Sequence, residues 1–182
     1  MATQPTSGLT YDDLQRFPED NLRREIIDGE LFVTAAPILR HQRVGLRLSA
    51  SLFAYEEHAG GRTYPATDVF FSEVSVVEPD VVFVRAEQLE RLGEKYIASA
   101  PDLVVEISSP STRRVDLGRK LELYERYRVP EYWFVDLDQD RVMVHLLEDG
   151  GYADARLIGR GEILRSVSLP GFEIAVDDLL AG

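Results

Sequence analysis

The stretch LVVEISSPS, residues 103–111, sets one carboxylate inside an otherwise apolar run. Leu103, Val104, Val105 and Ile107 form the kind of segment found in a central strand covered on both faces, and the small polar cluster from Ser108 ends it. In a strand, Val104, Glu106 and Ser108 face one way while Leu103, Val105 and Ile107 face the other. Glu106 therefore points into whatever covers its face. Glutamate is seldom buried without a partner, so its neighbours decide between an arginine-paired structural role and a ligand.

The flanking segments read as one mixed α/β domain, residues 1–182, built on one main sheet. Residues 112–128 have helical periodicity and YWFVD, residues 132–136, reads as the next strand. Upstream, REIIDGELFV (24–33) carries a hairpin signal at Asp28-Gly29. Val44, Leu48, Leu52 and Tyr55 recur at helical spacing between His41 and about Ala59, and Gly60-Gly61 ends that helix. Strands are expected around 66–71 and 79–84, with a short helix near 86–92. RVMVHLL, YADARLI and FEIAV then suggest a C-terminal antiparallel meander. Thr10 is placed to cap a short helix ending before Pro18, and residues 1–9 read as a flexible tail.

Composition narrows the function. With 45% hydrophobic and 29% charged residues the chain resembles an ordinary folded protein. No apolar run approaches the roughly 20 residues of a bilayer span and no signal-peptide pattern opens the chain, so a cytoplasmic protein without membrane association is expected. The absence of cysteine removes disulfides and thiolate metal sites but leaves carboxylates and histidines for a hard cation. A net charge of -12 opposes non-specific coating of nucleic acid, which requires many phosphate-neutralising cations, without excluding a local site. Only two of the 20 basic residues are lysines, Lys95 and Lys120.

Asp102 shares the face of Glu106, but four residues of strand separate them by about 13 Å, too far for one small ion. A second carboxylate must come from an adjacent strand. VVEPDVVFV (76–84) supplies Asp80 at the start of an apolar run, with Glu78 on the same face as a competitor. In the helix, Asp116, Lys120 and Tyr124 recur at intervals of four and border the apolar stripe. Asp116 and Lys120 alone would be an ordinary surface ion pair. Taken with Asp80 and Glu106, they suggest metal-assisted phosphodiester hydrolysis: two carboxylates hold Mg²⁺ or Mn²⁺ and Lys120 positions water or neutralises developing charge.

These residues resemble the PD-(D/E)XK nuclease superfamily, with an Asp on one strand and a Glu-x-Lys on the next. EPDVVFV, PDLVVEISSPSTRRVDLGRKLELY and VPEYWFVD, with REIIDGEL and LPGFEIAVDDLL, are similar to the Uma-two family of candidate restriction endonucleases across nearly the whole chain. The resemblance implies a restriction-endonuclease-like core with flanking helices. It implies Asp80 and Glu106 as metal ligands and Lys120 as the catalytic lysine, displaced from the Glu-x-Lys position that Ser108 occupies. Lys120 and Tyr124 also resemble the Gln-x-x-x-Tyr helix motif of RecB-like nucleases. Glu25 matches the extra acidic residue from the N-terminal part, with Glu30 as the alternative, and His41 is a further family-like position. Ser108 and Asp116 are expected to orient Glu106 and Lys120. His58 and His145 have no ligand-pair spacing.

The leading expectation is a Mg²⁺- or Mn²⁺-dependent DNA endonuclease. Arg40, Arg43 and Arg47 on one helix and Arg113, Arg114 and Arg119 on the other are candidates for a local basic rim. The alternative is a non-catalytic or weakly active homodimeric binding module that keeps the fold, self-associating through the apolar C-terminal meander and exposed sheet edges. A hydrolase of another phosphoester is a third reading. A glycosidase would leave Lys120 unexplained. On either leading reading the protein is expected to be a homo-oligomer, a dimer favoured.

Overall fold

The computed structural model describes residues 8–18, 20, 22–34 and 36–181. Its N-terminal half comprises α1 (Tyr11–Leu14), β1 (Arg23–Ile27), β2 (Glu30–Thr34), α2 (Leu39–Ala59), β3 (Arg62–Pro65), β4 (Val69–Ser72), β5 (Ser75–Val77) and β6 (Val81–Val84). A 3₁₀ segment, Ala86–Arg91, leads to β7 (Leu103–Ile107). A helical rod follows: α3 (Arg113–Val115), a π turn (Asp116–Lys120) and α4 (Leu121–Arg126). It returns the chain to β8 (Glu131–Asp136), after which come β9 (Arg141–Glu148), β10 (Gly151–Tyr152), β11 (Arg156–Gly159), β12 (Ile163–Arg165), β13 (Glu173–Ala175) and α5 (Val176–Leu179).

The main sheet runs β10-β9-β8-β7-β6-β3, with β11 also paired to β9. Its β7–β8 pair is parallel, as a strand–helix–strand crossover requires. The alternation read from residues 103–107 is observed. Leu103, Val105 and Ile107 join Trp133 and Val135 in a core with Val44, Leu48 and Leu52 of α2. Val104, Val82 and Phe134 face the opposite core, which Leu123 and Tyr124 of the rod cover together with Ile27 and Val77 of a smaller sheet, β2-β1-β5-β4. Glu106 is buried on this second side.

The hairpin forms as its turn signal predicts: Asp28 and Gly29 both take positive φ, 52° and 80°, the backbone of a tight I′ turn. Thr10 caps α1 through a reciprocal capping box with Asp13. Of the expected tail, residues 1–7 lie outside the described residues. Gly8 packs closely on Gly29, and the Leu9 N–H donates to the Gly29 carbonyl at 2.9 Å.

The strands differ from expectation in three places. The strand expected around 66–71 is β4, Val69–Ser72, and a further strand, β3, lies upstream of it in the main sheet and ends before Ala66, whose φ of 43° breaks the extended run. β5 has only three residues, too few to generate a periodic signal. The meander holds for β9 to β11, whereas β12 and β13 form a separate two-stranded ribbon.

Candidate active site

β6 and β7 pair antiparallel with Val81 opposite Val105 and Val82 opposite Val104. Carried one residue further, the register sets Asp80 opposite Glu106 on the same face of the sheet. Asp80 is clamped there by three donors. Its Oδ2 accepts the Ile107 N–H at 2.7 Å and lies 3.1 Å from His41 Nε2, and its Oδ1 accepts Arg23 Nη1 at 2.9 Å. Burial alone would raise its pKa, but His41, Arg23 and the Ile107 amide hold it down at about 2. His41 thus reaches Asp80 from the first turn of α2.

Lys120 is itself buried, with Nζ 2.7 Å from Glu25 Oε1, 2.9 Å from Glu106 Oε1 and 3.7 Å from Asp116 Oδ1. The Tyr124 hydroxyl donates to the same Glu106 oxygen at 2.6 Å. Glu25 projects from β1, where the β1–β5 pairing brings it beside Glu78, whose N–H donates to Glu25 Oε1 at 2.8 Å. Burial disfavours the ammonium, yet the carboxylates of Glu106, Glu25 and Asp116 raise the Lys120 pKa above its ordinary value. Lys120 is therefore a fixed cation and proton donor rather than a base.

The carboxylates outnumber their counter-ions. Burial drives Glu106 well above the usual carboxylate range despite the pull of Lys120, and drives Asp116 up to about 6. Glu78 is also raised by burial, against the opposing effect of Arg23. Glu25, Glu78, Asp80, Glu106 and Asp116 share Arg23, Lys120 and His41. Both hydrogen bonds to Glu106 fall on Oε1, and neither oxygen of buried Asp116 has a hydrogen-bond partner among the described residues.

A cavity of about 550 Å³ opens onto this cluster. Asp80, Glu106, Lys120, Glu78, His41 and Arg23 line it, and the loop Ser109–Thr112 forms another wall. Glu25 and Asp116 are not on that wall; they back Lys120. Among the described residues no group of three or more His, Asp or Glu side chains stands ready to hold a metal ion. Asp80 and Glu106, opposed across the two strands, are the carboxylates that could hold a hard divalent cation, with water completing its shell.

The remaining expectations resolve individually. Glu30 is exposed and pairs with Arg119 at 3.0 Å, so Glu25 is the acid of this segment that faces the cluster. Ser108 Oγ accepts the Leu137 N–H at 2.9 Å and makes no hydrogen bond to Glu106; it secures the ends of β7 and β8. Asp102 is a separate anchor, accepting the Arg85 N–H and side chain and Gln88. Half of the basic rim is neutralised. Arg40 pairs with Asp140, Arg113 with Asp136 and Arg119 with Glu30, while Arg47 donates to the Asp178 carbonyl. Arg43 and Arg114 form no ion pair among the described residues. Sequence reasoning missed Arg23, which also contacts Glu78 Oε1 at 3.2 Å. Its i,i+2 alternation with Glu25 on one face of β1 was the available signal.

Sheet order, the parallel crossover and the acidic, lysine-bearing pocket at β6–β7 define a restriction-endonuclease-like α/β core. A solved structure titled as a "putative nuclease belonging to DUF820", from Anabaena variabilis, has the same fold, with a TM-score of 0.79 over 94% of this chain and 97% of that one. Its 17% identity makes this a likeness of fold alone. The Uma2 family model, described as "Putative restriction endonuclease", matches residues 11–177, and the chain belongs to that family. No curated protein matches. Among the described residues no helix is long and apolar enough to cross a membrane.

Proposed function

We propose that the protein is a Mg²⁺- or Mn²⁺-dependent endonuclease that hydrolyses DNA phosphodiester bonds in the cavity at β6–β7. The observation that carries this reading is the opposition of Asp80 and Glu106 across two paired strands, with the Lys120 ammonium 2.9 Å from Glu106. Asp80 and Glu106 would hold the ion, with Glu25 acting behind Lys120 or through water. Bound there, a divalent cation would supply Lewis acidity toward a phosphate oxygen and lower the pKa of water. His41 and the Ile107 amide fix the Asp80 carboxylate, and Tyr124 fixes Glu106. Lys120, kept protonated, donates a hydrogen bond that orients the attacking water or offsets the developing phosphorane charge, and the water's proton passes to bulk solvent. Asp116 holds the ammonium from behind.

Family membership supports DNA as the substrate, and the surplus of buried carboxylates supports the cation. The test is cleavage of plasmid and single-stranded DNA with Mg²⁺, Mn²⁺ or EDTA, for the natural protein and for Glu106→Ala and Lys120→Ala. Metal-dependent cleavage abolished by both substitutions is expected. Cleavage that survives both would assign the activity elsewhere.

The second reading, a binding module that retains the nuclease fold, is favoured by the half-neutralised rim and by Arg23, which already occupies Asp80 and Glu78. Absence of cleavage with every metal and substrate would favour it. A cytoplasmic location is consistent with both.

A further inference from the structure

α2 is amphipathic twice over. His41, Val44, Leu48 and Leu52 make its buried face. At about 100° per residue, Leu39, Arg43, Leu46, Ala50, Phe53 and Glu57 fall within an arc of about 80° on the diametrically opposite side. That side is the outermost surface of the helix, where polar residues are the rule. Instead, Leu39, Leu46 and Phe53 are 84%, 65% and 57% exposed. One exposed leucine needs no explanation; three large apolar side chains in line at seven-residue intervals do. Seven-residue spacing is the repeat by which one helix packs along another.

We propose that this outer stripe of α2 is the self-association surface of the protein, and that its occupant is α2 of a second copy, running antiparallel about a two-fold axis at Ala50. The charges select this partner and direction. Arg43 lies seven residues before Ala50 and Glu57 seven after it, and both are exposed and without an ion pair among the described residues. Antiparallel pairing about Ala50 sets each Arg43 against the partner's Glu57, twice by symmetry. Inside those pairs Leu46 meets the partner's Phe53, and the small side chain of Ala50 at the crossing lets the helices approach closely. A parallel pair would set Arg43 against Arg43 and Glu57 against Glu57. About Ala50 the two helices overlap over residues 41–59, a seam of about 28 Å, and Leu39 lies just beyond its end. This surface is an alternative to the C-terminal meander as the site of self-association. There Leu157, Ile163 and Val167 are exposed, but they do not share one element.

The inference stands independently of the nuclease reading, because no residue of the seam lines the catalytic cavity. Sedimentation of the whole chain between about 1 and 200 μM should give twice the 20.6 kDa of one chain at the upper end. Leu46→Glu and Phe53→Glu, both at exposed positions, should give monomers with unchanged circular dichroism. Arg43→Glu and Glu57→Arg should each weaken the dimer about tenfold, and the double variant should recover most of that loss. A monomer at every concentration, or a dimer indifferent to Leu46→Glu and Phe53→Glu, would overturn the proposal. Failure of the double variant to recover would overturn the antiparallel arrangement.

Discussion

Glu131 and Glu106 lie on adjacent parallel strands of the same sheet, both buried, and they are served in opposite ways. Glu131 is saturated. Its Oε1 accepts Trp133 Nε1 at 2.7 Å, and its Oε2 accepts Ser166 Oγ and the N–H groups of Val167 and Ser168 at 2.7, 3.0 and 2.8 Å. These neutral donors tie the segment after β12 to the main sheet. Around Glu106, by contrast, one lysine is shared among three carboxylates, and the hydrogen bonds gather on one oxygen. A structural carboxylate has its partners supplied by the chain. The cluster around Glu106 has more carboxylates than cations and lies beside a cavity, and the proposed cation would make up that shortfall.

Substitution should separate the two most sharply. Glu106→Gln should lower DNA cleavage by about 10³-fold or more, measured in single-turnover assays, while leaving thermal stability equal or higher. Glu131→Gln should do the reverse. Loss of the charge from four hydrogen bonds should cost about 2–4 kcal/mol, read as a drop in Tm of about 5–10 °C, with cleavage by the folded fraction intact. If Glu106→Gln instead destabilised the protein as Glu131→Gln does, the contrast between them would collapse.

Smaller effects sharpen the contrast. Arg23 now neutralises Asp80 and Glu78, so it competes with any cation that takes those oxygens. Arg23→Ala should therefore tighten Mn²⁺ binding about tenfold in calorimetry, about 1.4 kcal/mol, and weaker Mn²⁺ binding would refute that role. Asp116→Asn should stabilise the metal-free protein by about 1 kcal/mol at pH 7, because it removes a buried charge with no hydrogen-bond partner.

The pH dependence follows with its sign. The folded-state value of Asp116, about 6, lies above its ordinary 3.8, so the folded protein binds that proton more tightly. The resulting stability is lost as pH rises between those values. Asp80, held at about 2, acts oppositely, and its contribution is lost as pH falls from about 4. Metal-free protein should thus melt at higher temperature near pH 4–5 than at pH 7, and Asp116→Asn should flatten the fall above pH 4. Melting curves across pH 3–8 check both.

Much of this site was legible in the sequence because strand alternation and helix spacing are local. Glu106 stood out against Val104 and Val105, Asp80 headed an apolar run, and Lys120 was one of only two lysines. The rest depends on tertiary approach. Nothing local says that Arg23 on β1 reaches Asp80 ahead of β6, or that the Ser108 hydroxyl serves Leu137. The π turn at Asp116–Lys120 also escaped a periodic reading, since five residues are too few to reset a helical pattern. β3 escaped for a similar reason, as a four-residue edge strand ending in proline.

The most direct test of the central claim is a Mn²⁺ titration of the metal-free protein, followed by calorimetry or electron paramagnetic resonance, for the natural sequence, Glu106→Gln and Glu131→Gln. Saturable binding to the natural protein is expected, retained by folded Glu131→Gln and weakened at least tenfold in Glu106→Gln. Equal binding by all three, or none by the natural protein, would contradict it.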